Sequence, residues 1–266
     1  MHLKRWLTGI IAAPVLIYVI GFGPRRVFHL LLFLTALQGL VEYFRIAAPE
    51  TDKPLRWTAY GITLVLFLFV SAGELFLLPS LLFLCAAAPM TYFMFTYNRP
   101  GHRSTEVLGK AALGPVYIAL PLVMLMIIDR FPRGRMWIFF LLVIVFACDT
   151  GAFYAGRTFG KHRLHPQVSP GKTWEGSAGG LLAGLLAAYV WSRFSNLFVL
   201  DLRIFLLAAG LTICGQIGDL VESMVKRNHG VKDSGGILPG HGGILDRIDA
   251  HLFAIPVLFV FLSWWK

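Results

Sequence analysis

Asp219, Glu222, Ser223 and Lys226 stand at positions i, i+3, i+4 and i+7, a spacing that lines them along one face of a helix. The sequence before them is apolar, and a charged side chain inside a bilayer costs several kcal/mol, about 3 on insertion scales, unless it meets protein, water, a metal or an opposite charge. Two readings follow: a structural Asp219–Lys226 neutralisation at the end of an interfacial helix, or a polar site. Just downstream, the stretch from Gly230 to Gly243 is rich in glycine, with Lys226, Arg227 and Lys232 beside it. Glycines let backbone N–H groups approach an anion closely and the cations neutralise phosphate, so the stretch reads as a phosphate cradle. Asp246 and Asp249 then stand three residues apart as the last apolar segment opens. Carboxylates in an oxygen-only donor set beside such a loop suit Mg²⁺, which keeps waters and bridges substrate phosphates.

The run from Ser223 to Asp249 carries Ser223, Lys226, Arg227, Lys232, Asp233, Gly235, Leu238, Pro239, His241, Gly242, Gly243, Asp246, Arg247 and Asp249. In this pattern it resembles the signature of the bacterial phosphatidate cytidylyltransferase (CDP-diacylglycerol synthase) family, over 27 residues with every characteristic position filled. The resemblance implies transfer of CMP from CTP to phosphatidic acid, giving CDP-diacylglycerol and pyrophosphate in phospholipid biosynthesis. It also implies Mg²⁺ as cofactor, alone or with a second cation. A phosphate monoester attacking the α-phosphorus needs no covalent protein intermediate, so alignment and charge neutralisation carry the catalysis. Asp219, Asp246 and Asp249 are the candidate metal ligands and, with Lys226, the candidate catalytic residues. Lys172, Ser223, Arg227, Lys232, Asp233, His241, Gly242, Gly243 and Arg247 are candidates for binding the triphosphate or the lipid phosphate. Arg247 could instead hold the carboxylates in place, and His241 could be a hydrogen-bonded loop residue.

A second segment, Ser169-Pro170-Gly171-Lys172-Thr173-Trp174-Glu175-Gly176, also resembles that family. Gly171-Lys172-Thr173 mimics the tail of a P-loop, but Pro166 stands where that motif requires glycine, so it is not a Walker motif. Lys172 either contacts phosphate or belongs to a turn in which Ser169 or Thr173 caps the next helix. Asp149 is a buried acid that either joins the site or hydrogen-bonds across helices. Glu42 and Glu74 lie nearer to span ends and read as structural. Gly176, Gly180 and Gly184 repeat at spacing four, a smooth strip for close helix packing, within the chain or in a homodimer.

The elements that must position these residues follow from apolarity. Hydrophobic residues make up 57% of the 266-residue chain and charged ones only 14%, with a mean hydropathy of +0.69, which excludes an ordinary water-exposed surface. Apolar runs at about 6–22, 27–45, 57–78, 80–97, 105–128, 136–156, 175–192, 202–222 and 250–265 are each long enough to span. The expected fold is therefore an all-α integral membrane protein, a polytopic helical bundle of about nine transmembrane helices. Pro89, Pro115 and Pro121 would kink these helices without ending them. We expect a single transmembrane domain over 1–266, with the catalytic segment at about 219–249.

Alternating the spans places sixteen of the 24 Lys and Arg on the N-terminal side. The positive-inside rule then puts the N-terminus and the polar loops in the cytoplasm, and the family implies the bacterial inner membrane. Membrane lipids and topology account for the net charge of +10, so nucleic acid is not an expected partner. Cys85, Cys148 and Cys214 show neither disulfide nor zinc spacing. The tryptophans near span ends form an interfacial belt. A polyprenol or phytol kinase, sharing nucleotide and metal, is the nearest alternative. A secondary transporter is a more distant one, because the polar residues gather at cytoplasmic span ends without a second copy. A substrate that never leaves the membrane calls for an opening between helices toward the inner leaflet.

Overall fold

The computed structural model describes residues 13–96, 105–237 and 242–264. His241 and the basic pair Lys4 and Arg5 lie outside the described residues. Helix α1 covers residues 13–21, and α2 (Arg25–Ile46) follows directly after Pro24. α3 (Lys53–Ala72) has proline in its first turn and stops at Gly73, whose φ of 97° is left-handed and whose N–H returns to the carbonyls of Phe69 and Val70. A 3₁₀ turn (Leu75–Leu77) leads into α4 (Leu78–Thr96). α5 runs over Thr105–Ile128, α6 is Gly134–Phe159, α7 is Trp174–Ser195, α8 is Leu202–Asn228 and α9 is Leu245–Trp264.

Among the described residues, six helices are long and apolar enough to cross a membrane: Arg25–Ile46, Lys53–Ala72, Leu75–Thr96, Thr105–Ile128, Gly134–Phe159 and Leu202–Asn228. The other three expected spans fall on α1, α7 and α9. Large apolar side chains stand fully outward, among them Phe76 at 90% and Phe194 at 82% exposure. In water such a surface would aggregate, so the chain is an all-α membrane protein. As expected, the internal prolines do not end their helices: Pro89 is buried within α4, and Pro115 opens a π-helical turn, Pro115–Ala119, inside α5.

The chain divides into two compact units. The described residues up to Ile127, with Asp233–Asp246, make the first. Its core holds Ala36, Leu40, Phe44, Leu66, Val70, Ile118 and Val123, all without exposure. Tyr43, on α2, donates its hydroxyl to the Lys110 carbonyl at 3.0 Å, which ties α2 to α5 in a region with no water to satisfy either group.

Ile128–Lys232 with the chain from Arg247 onward make the second unit. Here the glycine strip is spent on intrachain packing. A Cβ on Gly176 would lie 2.9 Å from the Ala152 carbonyl, one on Gly180 2.9 Å from the Cys148 carbonyl, and one on Gly151 2.8 Å from the Gly179 carbonyl. α6 and α7 therefore meet backbone to backbone, as small-residue seams in membranes do. The segment between them is a short antiparallel hairpin, β1 (Arg163–His165) with β2 (Ser169–Thr173), Arg163 opposite Thr173. The helical periodicity that finds the spans gives no sign of it, because β2 is only five residues of Ser, Pro, Gly, Lys and Thr. β2 runs straight into α7, with Thr173 as N-cap: its Oγ1 accepts from Gly176 N at 3.0 Å. The three cysteines are free.

Candidate active site

In the second unit a cleft of about 560 Å³ is bounded by α6 (Asp149, Ala152, Gly156, Arg157), the hairpin (Arg163, Lys172, Thr173), the start of α7 (Ser177) and α8 (Gln216, Asp219). Lys172 reaches from β2 so that its Nζ lies 2.5 Å from Asp219 Oδ2, and the ammonium itself is shut off from solvent. One turn along α8, Ser223 donates its hydroxyl to Asp219 Oδ1 at 3.4 Å. Asp219 is thus paired with a charge from the hairpin. Lys226 pairs instead with Glu222 one turn earlier, a carboxylate at 1% exposure. The local Asp219–Lys226 reading is corrected accordingly: both lie on one helical face, but Lys172 brings in an outside charge at shorter range.

Gln216, one turn before Asp219, is held both ways by Ser177: it accepts from Ser177 Oγ and donates Nε2 to the Ser177 carbonyl at 3.2 Å. This clamp fixes α8 against the start of α7 at the level of the cleft. Asp249, on α9, accepts from its neighbour Ala250 N at 2.8 Å. It lies within electrostatic reach of Asp219, Lys226 and Asp149, as Asp149 does of Asp219 and Lys172. A close approach makes this possible: a Cβ on Gly218 would sit 2.5 Å from the Asp249 carbonyl, so α8 and α9 touch there. Arg227 turns away, donating to the carbonyls of Val168 at 3.4 Å and Val231 at 3.3 Å, which closes the end of α8 onto the hairpin turn. Lys232 and Arg247 are exposed.

In the first unit the glycine-rich stretch folds around two carboxylates. Asp246 Oδ2 accepts from Ser234 N and Gly243 N, both at 2.8 Å, and its own N–H is bonded by Ser234 Oγ at 3.2 Å. Gly242 adopts a φ of +79°, and a Cβ there would meet Asp246 Oδ2 at 2.6 Å. Only glycine meets both conditions. Asp233 is exposed. Beneath the turn lies Glu42, at 1% exposure. It accepts from Ser234 Oγ (2.9 Å), Ile244 N (3.0 Å), Leu245 N (2.8 Å) and Gln38 Nε2 (3.0 Å). Arg45, one turn on, donates to the Ser234 carbonyl.

The sequence model of the cytidylyltransferase family matches residues 3–265, a range that contains the cleft and the glycine-rich turn. The chain belongs to the cytidylyltransferase family. Within it, the chain is 32% identical over 276 residues to a Bacillus subtilis protein named phosphatidate cytidylyltransferase, covering 98% of this chain and 97% of that one. Proteins of the same name from Staphylococcus epidermidis and Haemophilus influenzae are 48% and 43% identical over 130 and 133 residues, about half of each chain.

For this cytidylyltransferase-family chain, the structure gathers Lys172, Asp219, Ser223, Lys226 and Asp249 in one unit, and Gly242, Gly243 and Asp246 in one turn of the other. Arg157, Arg163, Gln216 and Ser177 were not anticipated. The two arginines were read only as topology charges. Gln216 did leave a signal: with Asp219 and Ser223 it completes an i, i+3, i+7 polar face in an apolar helix.

Among the described residues no three His, Cys, Asp or Glu side chains converge closely enough to enclose an ion. The acidic grouping of Asp149, Asp219 and Asp249 suits a cation differently. Mg²⁺ is commonly held by one or two carboxylates and completes its shell with water and substrate phosphate, which an open cleft carrying Asp149 and Asp219 on its wall permits.

Proposed function

We infer that this chain transfers CMP from CTP to phosphatidic acid, forming CDP-diacylglycerol and pyrophosphate. The observation that carries the reading is the full-length likeness to the Bacillus subtilis phosphatidate cytidylyltransferase, which leaves neither the cleft nor the glycine-rich turn outside the matched range. A phosphatidate oxygen attacks the α-phosphorus of CTP, the bond from that phosphorus to the oxygen bridging to the β-phosphate breaks, and pyrophosphate leaves. Three phosphates and a phosphomonoester bring several negative charges together, and the barrier is largely that repulsion and the alignment of the two reactants.

In this reading Lys172, with Arg157 and Arg163 along the cleft wall, neutralises phosphate, and Ser223 and Lys226 keep the carboxylates of α8 oriented. Asp219 and Asp249 hold Mg²⁺, which supplies charge neutralisation at the phosphates when bound. Asp246 fixes the glycine-rich turn, whose remaining backbone N–H groups take phosphate oxygens. Nine membrane crossings, with α1, α7 and α9 completing the six, and a cytoplasmic N-terminus belong to the same proposal. The deciding experiment is pyrophosphate release by detergent-purified protein given CTP, Mg²⁺ and phosphatidate, with diacylglycerol or a polyprenol as control lipids. Release that needs phosphatidate supports the reading; release with the prenol alone would assign a kinase-like acceptor instead.

A further inference from the structure

Glu42 is absent from the chemistry above, yet it is a buried carboxylate that accepts four hydrogen bonds. Burying a carboxylate is costly unless its oxygens are well hydrogen-bonded, and Glu42 reaches that state by drawing donors from far along the chain: the Ser234 hydroxyl and the amides of Ile244 and Leu245. The last two are the N-terminal amides of α9, where a negative charge also meets the favourable end of the helix dipole. A nearby Ser or Asp would cap a helix with less desolvation, so capping alone does not account for a glutamate delivered from α2.

What the arrangement adds is shape. A Cβ on Gly235 would lie 2.6 Å from Glu42 Oε1 and 3.0 Å from Gly243 Cα, so the two sides of the turn close directly over this carboxylate. Ser234 passes the constraint on, because it bonds Glu42 through Oγ and Asp246 through its backbone N–H. α2 thus acts as the mould on which the glycine-rich turn is cast, with Arg45 holding the Ser234 carbonyl from the same face.

We propose that Glu42 is a positioning residue for cytidylyl transfer: through Ser234 and the amides of Ile244 and Leu245 it sets the conformation in which Gly235, Gly236 and Gly242 of the glycine-rich turn meet the CTP phosphates. The proposal rests on the function inferred above. Glu42→Gln keeps the side chain's size but turns an N–H₂ toward amides that need an acceptor. Because the turn binds nucleotide before and during reaction, its loss of shape removes binding common to both states, which raises KM and spares kcat.

The test is steady-state pyrophosphate release at varied CTP by wild type, Glu42→Gln, Ser234→Ala and the double variant. Glu42→Gln is expected to raise KM for CTP about tenfold with kcat changed less than about threefold. Ser234→Ala should give the same signature more weakly, and it carries the test if Glu42→Gln fails to fold. The double variant should add little to Glu42→Gln, as residues acting in one chain do. A merely structural Glu42 would lower the amount of active enzyme, seen as a fall in kcat at unchanged KM, and that result overturns the proposal while wild-type activity stands. A wild type inactive with phosphatidate removes the proposed reaction and the positioning role together.

Discussion

Lys172 and Asp219 meet at 2.5 Å across the cleft, one carried on a hairpin strand and the other on a membrane helix. Their side chains keep 27% and 35% exposure, so the pair is partly screened and its worth to stability is small, at most about 1 kcal/mol. In the proposed function its position at the cleft gives it a larger part, in binding phosphate. Lys172→Met should therefore reduce pyrophosphate release by about a hundredfold or more while shifting the thermal midpoint only a few degrees. Lys172→Arg should recover part of the rate. Wild-type turnover by Lys172→Met would remove this residue from the site.

Cation dependence is the next expectation. Chelation with EDTA should stop turnover and Mg²⁺ should restore it. Asp219→Asn should need a Mg²⁺ concentration roughly tenfold higher for half-maximal rate or show no rate at all. Mn²⁺ binding, followed by electron paramagnetic resonance on the lipid-free protein, should weaken in Asp219→Asn and in Asp249→Asn. Unchanged binding in both would place the cation elsewhere.

The seam between α6 and α7 makes a prediction about stability that separates it from a dimer contact. Gly180→Val places new atoms against the Cys148 carbonyl and the Ala152 side chain, so overpacking should cost about 1–3 kcal/mol. Detergent-corrected light scattering should show the same mass for variant and wild type. A change of mass without loss of stability would mean that the strip faces another copy.

Thr173→Ala removes the acceptor for Gly176 N at the start of α7 and should cost about 1 kcal/mol. Because Thr173 also borders the cleft, Thr173→Ser, which keeps the cap, should restore both stability and rate.

Six of the nine expected spans and the Ser223–Asp249 signature were legible in the sequence because both are local: apolarity is a sum over neighbours, and the signature is one uninterrupted run. The partner of Asp219 was not. Helical spacing offers Lys226, and nothing in the chain's order says that Lys172 leaves a hairpin to reach the same carboxylate. Glu42 was read as structural, as befits a lone acid near the end of a span. Three of its four donors, however, belong to residues 234–245, and no pattern within α2 announces them. The same limit left the glycine strip undecided, since its spacing shows that something approaches closely but not what.

The backbone contact between α6 and α7 has a mechanical consequence. Where carbonyls and α-carbons touch, no side chain is left to swing aside, and any separation would open a dry void in the bilayer. Those two helices therefore move as a single beam, and a lipid slipping sideways into the cleft cannot pass between them. The hairpin and α8 meet differently, through the Lys172–Asp219 pair and the bond from Arg227 to the Val168 carbonyl, so that wall of the cleft is held by side chains and not by backbone contact.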